Sequence, residues 1–292
     1  MKFYFILLIF GVFASSTSFV YIRESTEAPV MLAAYRLLLT CLLISPLFVR
    51  DYRRYHRGEL GRLFRSAIGP GFVLGIHFIT WVIGARMTTG ANATLIVTLV
   101  PLAMPFFMVF MYQERITRNE VMATVLALLG MVILSFGDFN ISLEYLAGDL
   151  VCLVSMILFA YYLALAKDSA RYQSIWLYVF PMYLLAGIFC FILALFFSSP
   201  IHVYSPYEGL MILLLAVVPT IGGHTILNFS MQKFRGQTVS IINMSQFIFA
   251  GIVAYFIYME IPTREFYIAS LLFLLSIWLV MKSKTPDARS SG

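Results

Sequence analysis

Charge is scarce in this chain: of 292 residues only 12% are Asp, Glu, Lys or Arg, against 61% hydrophobic, and the mean hydropathy is +0.90. A soluble core cannot hide that much apolar surface, so the chain must use lipid as its solvent. Cysteine is nearly absent as well. Cys41, Cys152 and Cys190 all lie inside apolar runs, form neither a disulfide framework nor a spaced metal set, and are expected to pack as small apolar groups. Paired carboxylates, H-E-x-x-H, G-x-S-x-G and the phosphate loop G-x-x-x-x-G-K-[ST] are missing. These absences argue against an intramembrane enzyme and against direct drive by ATP; no catalytic residue, metal or other cofactor is expected. The formal charge of +6 raises the question of nucleic acid, but the basic residues sit between apolar runs rather than on one face. The expected partners are therefore the lipid bilayer and a small molecule, with no nucleic acid; the oligomeric state is left open, a monomer included.

What the chain has in abundance is long apolar runs. Charges divide it into about ten spans, at residues 3–22, 30–49, 66–85, 91–112, 119–136, 147–166, 174–197, 208–231, 237–259 and 263–281. No run alternates as a strand would, and lipid requires every backbone group to be paired within its segment, so the spans are expected to be helices of an all-α membrane protein. The first span could open a cleavable signal peptide, but its uncharged run reaches Ile22, long enough to cross a bilayer, and it is expected to be retained. The segment 50–65, RDYRRYHRGELGRLFR, reads as a basic connection lying on a membrane surface.

The chain also repeats itself. At an offset of 146 residues, Glu114 falls on Glu260, Tyr112 on Tyr258, Thr117 on Thr263, Arg118 on Arg264 and Gly90 on Gly236. The shared Y-x-E-x-x-T-R, a polar break between two apolar runs, is the informative part. The same offset brings Phe13-Ala14 onto Phe159-Ala160. Two halves of five spans follow: residues 1–137, residues 138–281, and a tail at 282–292. Five is odd, so the second half must enter the membrane from the opposite face, making the repeat inverted. The basic residues set the orientation. A cytoplasmic N-terminus puts Lys2, the arginines between Arg50 and Arg65, Arg115, Arg118, Lys167, Arg171, Lys233, Arg235, Lys282 and Lys284 inside, and only Arg23, Arg86 and Arg264 outside. Both termini are then cytoplasmic.

The segment GIHFITWVIGARMTTGANATLIVTLVPLAMPFFMVFMYQERIT, with Pro101 in the fourth span and Glu114 at its end, resembles the signature of the EamA family of the drug/metabolite transporter superfamily. The second copy, NFSMQKFRGQTVSIINMSQFIFAGIVAYFIYMEIPT, is similar but carries Phe247 where the proline would align. The resemblance covers nearly the whole chain. It implies ten helices with a central cavity between helices 1–4 and 6–9, helices 5 and 10 at the periphery, a place in the bacterial inner (plasma) membrane, and export of amino acids or other small metabolites. Carriers of drugs or of nucleosides and sugars belong to the same superfamily and are the rival reading; a dominantly basic or acidic cavity would mark them.

Polar residues inside the spans must be paired or face a cavity. His77 and Trp81 lie four residues apart on the third span, as do His224 and Asn228 on the eighth, and His77 shifted by 146 falls one residue short of His224. The two histidines are compatible with a shared site between the halves, or each can hydrogen-bond a neighbouring carbonyl. On the fourth span Thr94, Thr98, Pro101 and Pro105 share a face, which serves a cavity or close packing. Asn243 and Gln246 on the ninth span and Ser15 on the first add groups able to hold the ends of a zwitterion. Arg36 is the one full charge well inside a span; it could bind a substrate carboxylate, or snorkel to the near surface and meet a helix end or head group. Glu114 and Glu260 read as structural anchors, and Trp176, Tyr178, Tyr204 and Tyr207 as an interfacial belt. Tyr162 is read as belt or cavity wall. The candidate substrate-binding residues are thus His77, Trp81, Thr94, Thr98, His224, Asn228, Asn243, Gln246, Ser15 and Arg36.

Overall fold

The computed structural model describes residues 2–55, 58, 60–138, 144–198, 204–259 and 261–282, and among these the apolar runs are helices with no strand. They are α1 (Lys2–Glu24), α2 (Pro29–Tyr55), α3 (Leu60–Met87), α4 (Gly90–Thr98 and Val100–Tyr112), α5 (Arg118–Asp138), α6 (Leu146–Leu165), α7 (Ile175–Ala194), α8 (Pro206–Met231), α9 (Gly236–Met244 and Gln246–Tyr258) and α10 (Arg264–Met281). All but α5 are both long and apolar enough, among the described residues, to cross a membrane; α5 packs along α10 and completes the ten. Much of the basic segment 50–65 is helical, since α2 runs on to Tyr55 and α3 starts at Leu60. Asp51 holds that end of α2 in place, accepting from Arg50 at 2.7 Å and from the Ser174 hydroxyl at 2.5 Å.

The Y-x-E-x-x-T-R punctuation has a backbone counterpart. Gln113 and Met259, both one residue before the repeated Glu, are the only non-glycine residues with positive φ among those described, each at 55°. This left-handed residue ends the helix. Threonine starts the next one: Thr117 and Glu120 form a reciprocal cap, Glu120 N–H donating to Thr117 Oγ1 at 3.2 Å and Thr117 N–H to Glu120 Oε2 at 2.7 Å, while Thr263 caps α10 through Phe266 N–H. Glu260 lies outside the described residues.

Both α4 and α9 are broken in the middle, at Leu99 and at Ser245, again 146 residues apart. The local bonds match as well. Leu99 N–H donates to Ile96 O and Leu102 N–H to Leu99 O, as Ser245 N–H does to Ile242 O and Ile248 N–H to Ser245 O. Pro101 removes a donor in α4. In α9 no proline is present, and the Ser245 hydroxyl instead takes the Ile242 carbonyl at 2.6 Å.

Contacts between the halves follow the same rule. The pair α3·α6 is mirrored by α8·α1, and α3·α7 by α8·α2, while α2·α7, α4·α9 and α5·α10 each map onto themselves. This is what a two-fold relation between the halves requires. The pair α5·α10 is peripheral: 22% of the α10 apolar window is buried inside the protein, against 50%, 50% and 56% for α1, α2 and α3. The α1·α8 crossing is tight. A Cβ at Gly223 would strike the Ser15 hydroxyl and come within 3.0 Å of its backbone nitrogen, so only glycine lets the two helices meet.

Candidate functional site

The middle of α8 is not α-helical. Ala216–His224 is a π-helix containing Pro219, and its wide turns are held by Thr220 Oγ1 donating to Leu215 O at 2.8 Å and Thr225 Oγ1 to Thr220 O at 3.3 Å. Such turns accommodate an extra residue and recur at functional sites. The one-residue excess between His77 and His224 agrees with this in sign and size.

Around that turn lies a buried polar cluster drawn from both halves. The His77 ring stacks on Phe159 at 4.8 Å and stands 6.1 Å from the His224 ring, which meets Phe78 edge-on at 4.8 Å. His77 Nδ1 is 3.0 Å from both Ser155 O and Ser155 Oγ, so this histidine does bond a neighbouring carbonyl. His224 Nδ1 has no such partner. Asn228 donates through Nδ2 to Tyr162 Oη and, at 2.7 Å, to His224 O, leaving Oδ1 unpartnered. Tyr183 Oη and Thr225 Oγ1 are 3.1 Å apart beside them. Arg36 does not snorkel. It is fully buried, its Nε and Nη2 both donating to Thr220 Oγ1 at 3.1 and 3.0 Å and its guanidinium lying 3.9 Å from the Phe78 ring centre. The α8 turn offers it a hydroxyl at closer range than the membrane surface.

The remaining candidates lie elsewhere. Trp81, one turn along from His77, packs into a separate apolar cluster with Ile22, Leu32, Ala93 and Ile96. Thr94, Thr98, Asn243 and Gln246 sit at the breaks of α4 and α9. Thr98 Oγ1 is used on its own helix, at Thr94 O and Leu95 O, and Gln246 Nε2 donates to Asn243 Oδ1 at 2.7 Å, with Asn243 Nδ2 unpartnered. Ser15, buried with an unpartnered hydroxyl, faces Gly223. The sequence reading missed Phe78, Phe159, Ser155, Tyr183 and Thr220. Thr220 had a signal in the adjacent Pro219 and in Gly222-Gly223; the aromatic residues had none, since they stand in runs that are apolar throughout.

One further observation decides the kinship. The pattern of the EamA-like transporter family matches residues 2–136 and, a second time, residues 146–282. The chain belongs to the EamA-like transporter family. No curated protein matches it. Among solved structures, one described only as "Crystal structure of protein" is similar in fold, with a TM-score of 0.77 at 16% identity over 96% of each chain. This EamA-like protein is thus a multi-pass membrane protein of a transporter family, built on two repeats.

In this transporter both ends of the bundle are tied. At the end bearing Lys2, Lys167 pairs with Glu114 at 2.8 Å and Glu114 also accepts from Gly236 N–H at 2.9 Å, the anchoring role expected of it. Arg235 reaches Glu120 at 2.5 Å and 3.1 Å. Burial alone would lower the Arg235 pKa, but the Glu120 bonds outweigh it and hold the guanidinium above its usual value. At the opposite end Arg86 donates to Glu27 O and Ser25 O, Glu208 accepts from Ser25 and Thr26, and Tyr35 and Tyr204 join hydroxyls at 2.7 Å. Tyr204 and Tyr207 do lie at this end; Tyr178 of the expected belt is instead buried, beside Tyr172.

Proposed function

We propose that this protein is a secondary transporter that carries a small polar metabolite, an amino acid or a related compound, out of the cell across the bacterial inner membrane. The supporting observation is the buried His77–His224 cluster, to which each repeat contributes one histidine. Alternating access gives that placement a purpose: two repeats, 1–137 and 138–281, rock about a midplane site that neither end reaches while both are tied. His77, His224, Asn228 and Arg36 hold the substrate, with Ser15 at the α1·α8 crossing and Trp81 apart from them against Ile22 and Leu32. Thr94, Thr98, Asn243 and Gln246 serve at the crossing of the two broken helices. The outward direction and the amino-acid class rest on the resemblance of the fourth-span signature, and the cytoplasmic placement of both termini and of the 282–292 tail on the basic residues.

The test is uptake into proteoliposomes with amino acids, amines, sugars and nucleosides. Saturable amino-acid uptake that a His224→Gln variant loses is the expected result. Saturation by sugars or nucleosides alone would sink the amino-acid reading, and no saturable compound at all would sink transport.

A further inference from the structure

Arg36 carries a full charge with nothing of opposite sign to meet it. It is 0% exposed, yet two of its three nitrogens share the neutral Thr220 hydroxyl, and Nη1 has no hydrogen-bond partner. Among the described residues no carboxylate comes within ion-pair distance of it; Asp51, Glu114, Glu120 and Asp168, each paired with a cation, belong to the Lys2 end of the bundle. The Phe78 ring face attracts the guanidinium but cannot neutralise it. A buried charge is retained against such a cost when its counter-charge comes from elsewhere.

We propose that the counter-charge is the substrate's: Arg36 is the binding residue for the carboxylate of a small organic monoacid, and that carboxylate is the part of the substrate the site requires. The proposal rests on the transport reading above and narrows it. Nη1 offers N–H donors to a carboxylate oxygen, the strongest pairing a guanidinium makes. His224, whose Nδ1 is likewise unpartnered, stands edge-on to the same Phe78 ring that Arg36 covers, so a second polar group is at hand. A doubly charged phosphate would want a second cation, and among the described residues Arg36 is the only one over the Phe78 ring. Amines, sugars and nucleosides bring no negative charge to Arg36 and are excluded.

The experiment measures the melting temperature of the purified full-length protein with matched compounds: leucine, leucinamide, isoamylamine and the corresponding 2-oxo acid, and the same set built on phenylalanine. The same compounds are followed into proteoliposomes. The two acids of at least one set should raise the melting temperature, at concentrations about 10- to 100-fold below those at which the amide or amine acts. Arg36→Gln should abolish that discrimination and Arg36→Lys should keep part of it. Amides or amines as effective as the acids, an unchanged preference in Arg36→Gln, or no shift with any acid would overturn the proposal. If Arg36→Gln does not fold, the wild-type ranking of acid against amide decides alone. Equal action of acid and amide on the wild-type protein with saturable uptake intact rejects only the carboxylate assignment, whereas uptake of no compound rejects the transport reading.

Discussion

His77 and His224, one from each repeat, stand 6.1 Å apart ring to ring but are held differently: His77 bonds Ser155, and the Nδ1 of His224 bonds nothing. Replacing each should separate stability from transport. His77→Ala removes the ring's bond to Ser155 and its stacking on Phe159, leaving the Ser155 hydroxyl only the residue-77 carbonyl at 3.2 Å, and should cost about 1–3 kcal/mol of stability as well as transport. His224→Gln should leave the melting temperature nearly unchanged and still lower transport several-fold. Equal losses of stability in both would make His224 a packing residue.

Two of the ion pairs at the Lys2 end, Arg235–Glu120 and Lys167–Glu114, predict unequal costs. Glu120 is 0% and Arg235 8% exposed, so Arg235→Ala strands a buried carboxylate and should destabilise by about 3–5 kcal/mol. Lys167 is 27% exposed, and Lys167→Ala should cost under about 1 kcal/mol while loosening that end. Thermal unfolding in detergent compares them. The ranking fails if the two variants melt together.

Orientation is open to labelling. Cysteines introduced at Thr26 and Ser205, at the end opposite Lys2, should react with an impermeant reagent from outside the cell, and cysteines at Arg171 and Lys282 only after lysis. The segments around His56 and Ser142 lie outside the described residues, so these positions serve better. Labelling of all four from one side would defeat the inverted topology.

Coupling should not need protons. The buried cluster holds histidines, tyrosines and Arg36 and, among the described residues, no carboxylate to carry a coupling proton. Proteoliposomes with equal substrate on both sides and an imposed pH gradient should show no net accumulation. Uphill movement that His77→Gln or His224→Gln abolishes would make that histidine the coupling site.

Much of the fold was legible because lipid makes a strong demand: apolar runs of such length have only the helix available. The repeat was legible through Glu114 and Thr117, whose roles as anchor and cap need particular side chains. Arg36 was read as near enough to snorkel because sequence gives depth along a helix but not the face that meets Thr220. The break at Ser245 escaped notice because proline was the signal sought, and there a serine hydroxyl does the same work. The π turn was visible only as a one-residue misfit between His77 and His224. Trp81 was grouped with His77 on spacing, yet four residues is one turn of rise along the helix, enough to place it among Ile22, Leu32 and Ala93 instead.

The pairing of α1 with α8 also bears on how the chain is made. Ser15 and the helix face around it receive their partner only when Gly223 and its neighbours emerge, some 200 residues later, which at about 5–20 residues per second is a wait on the order of 10–40 seconds. During synthesis Ser15 therefore waits in the bilayer, or beside the insertion machinery, without the partner it has in the finished fold.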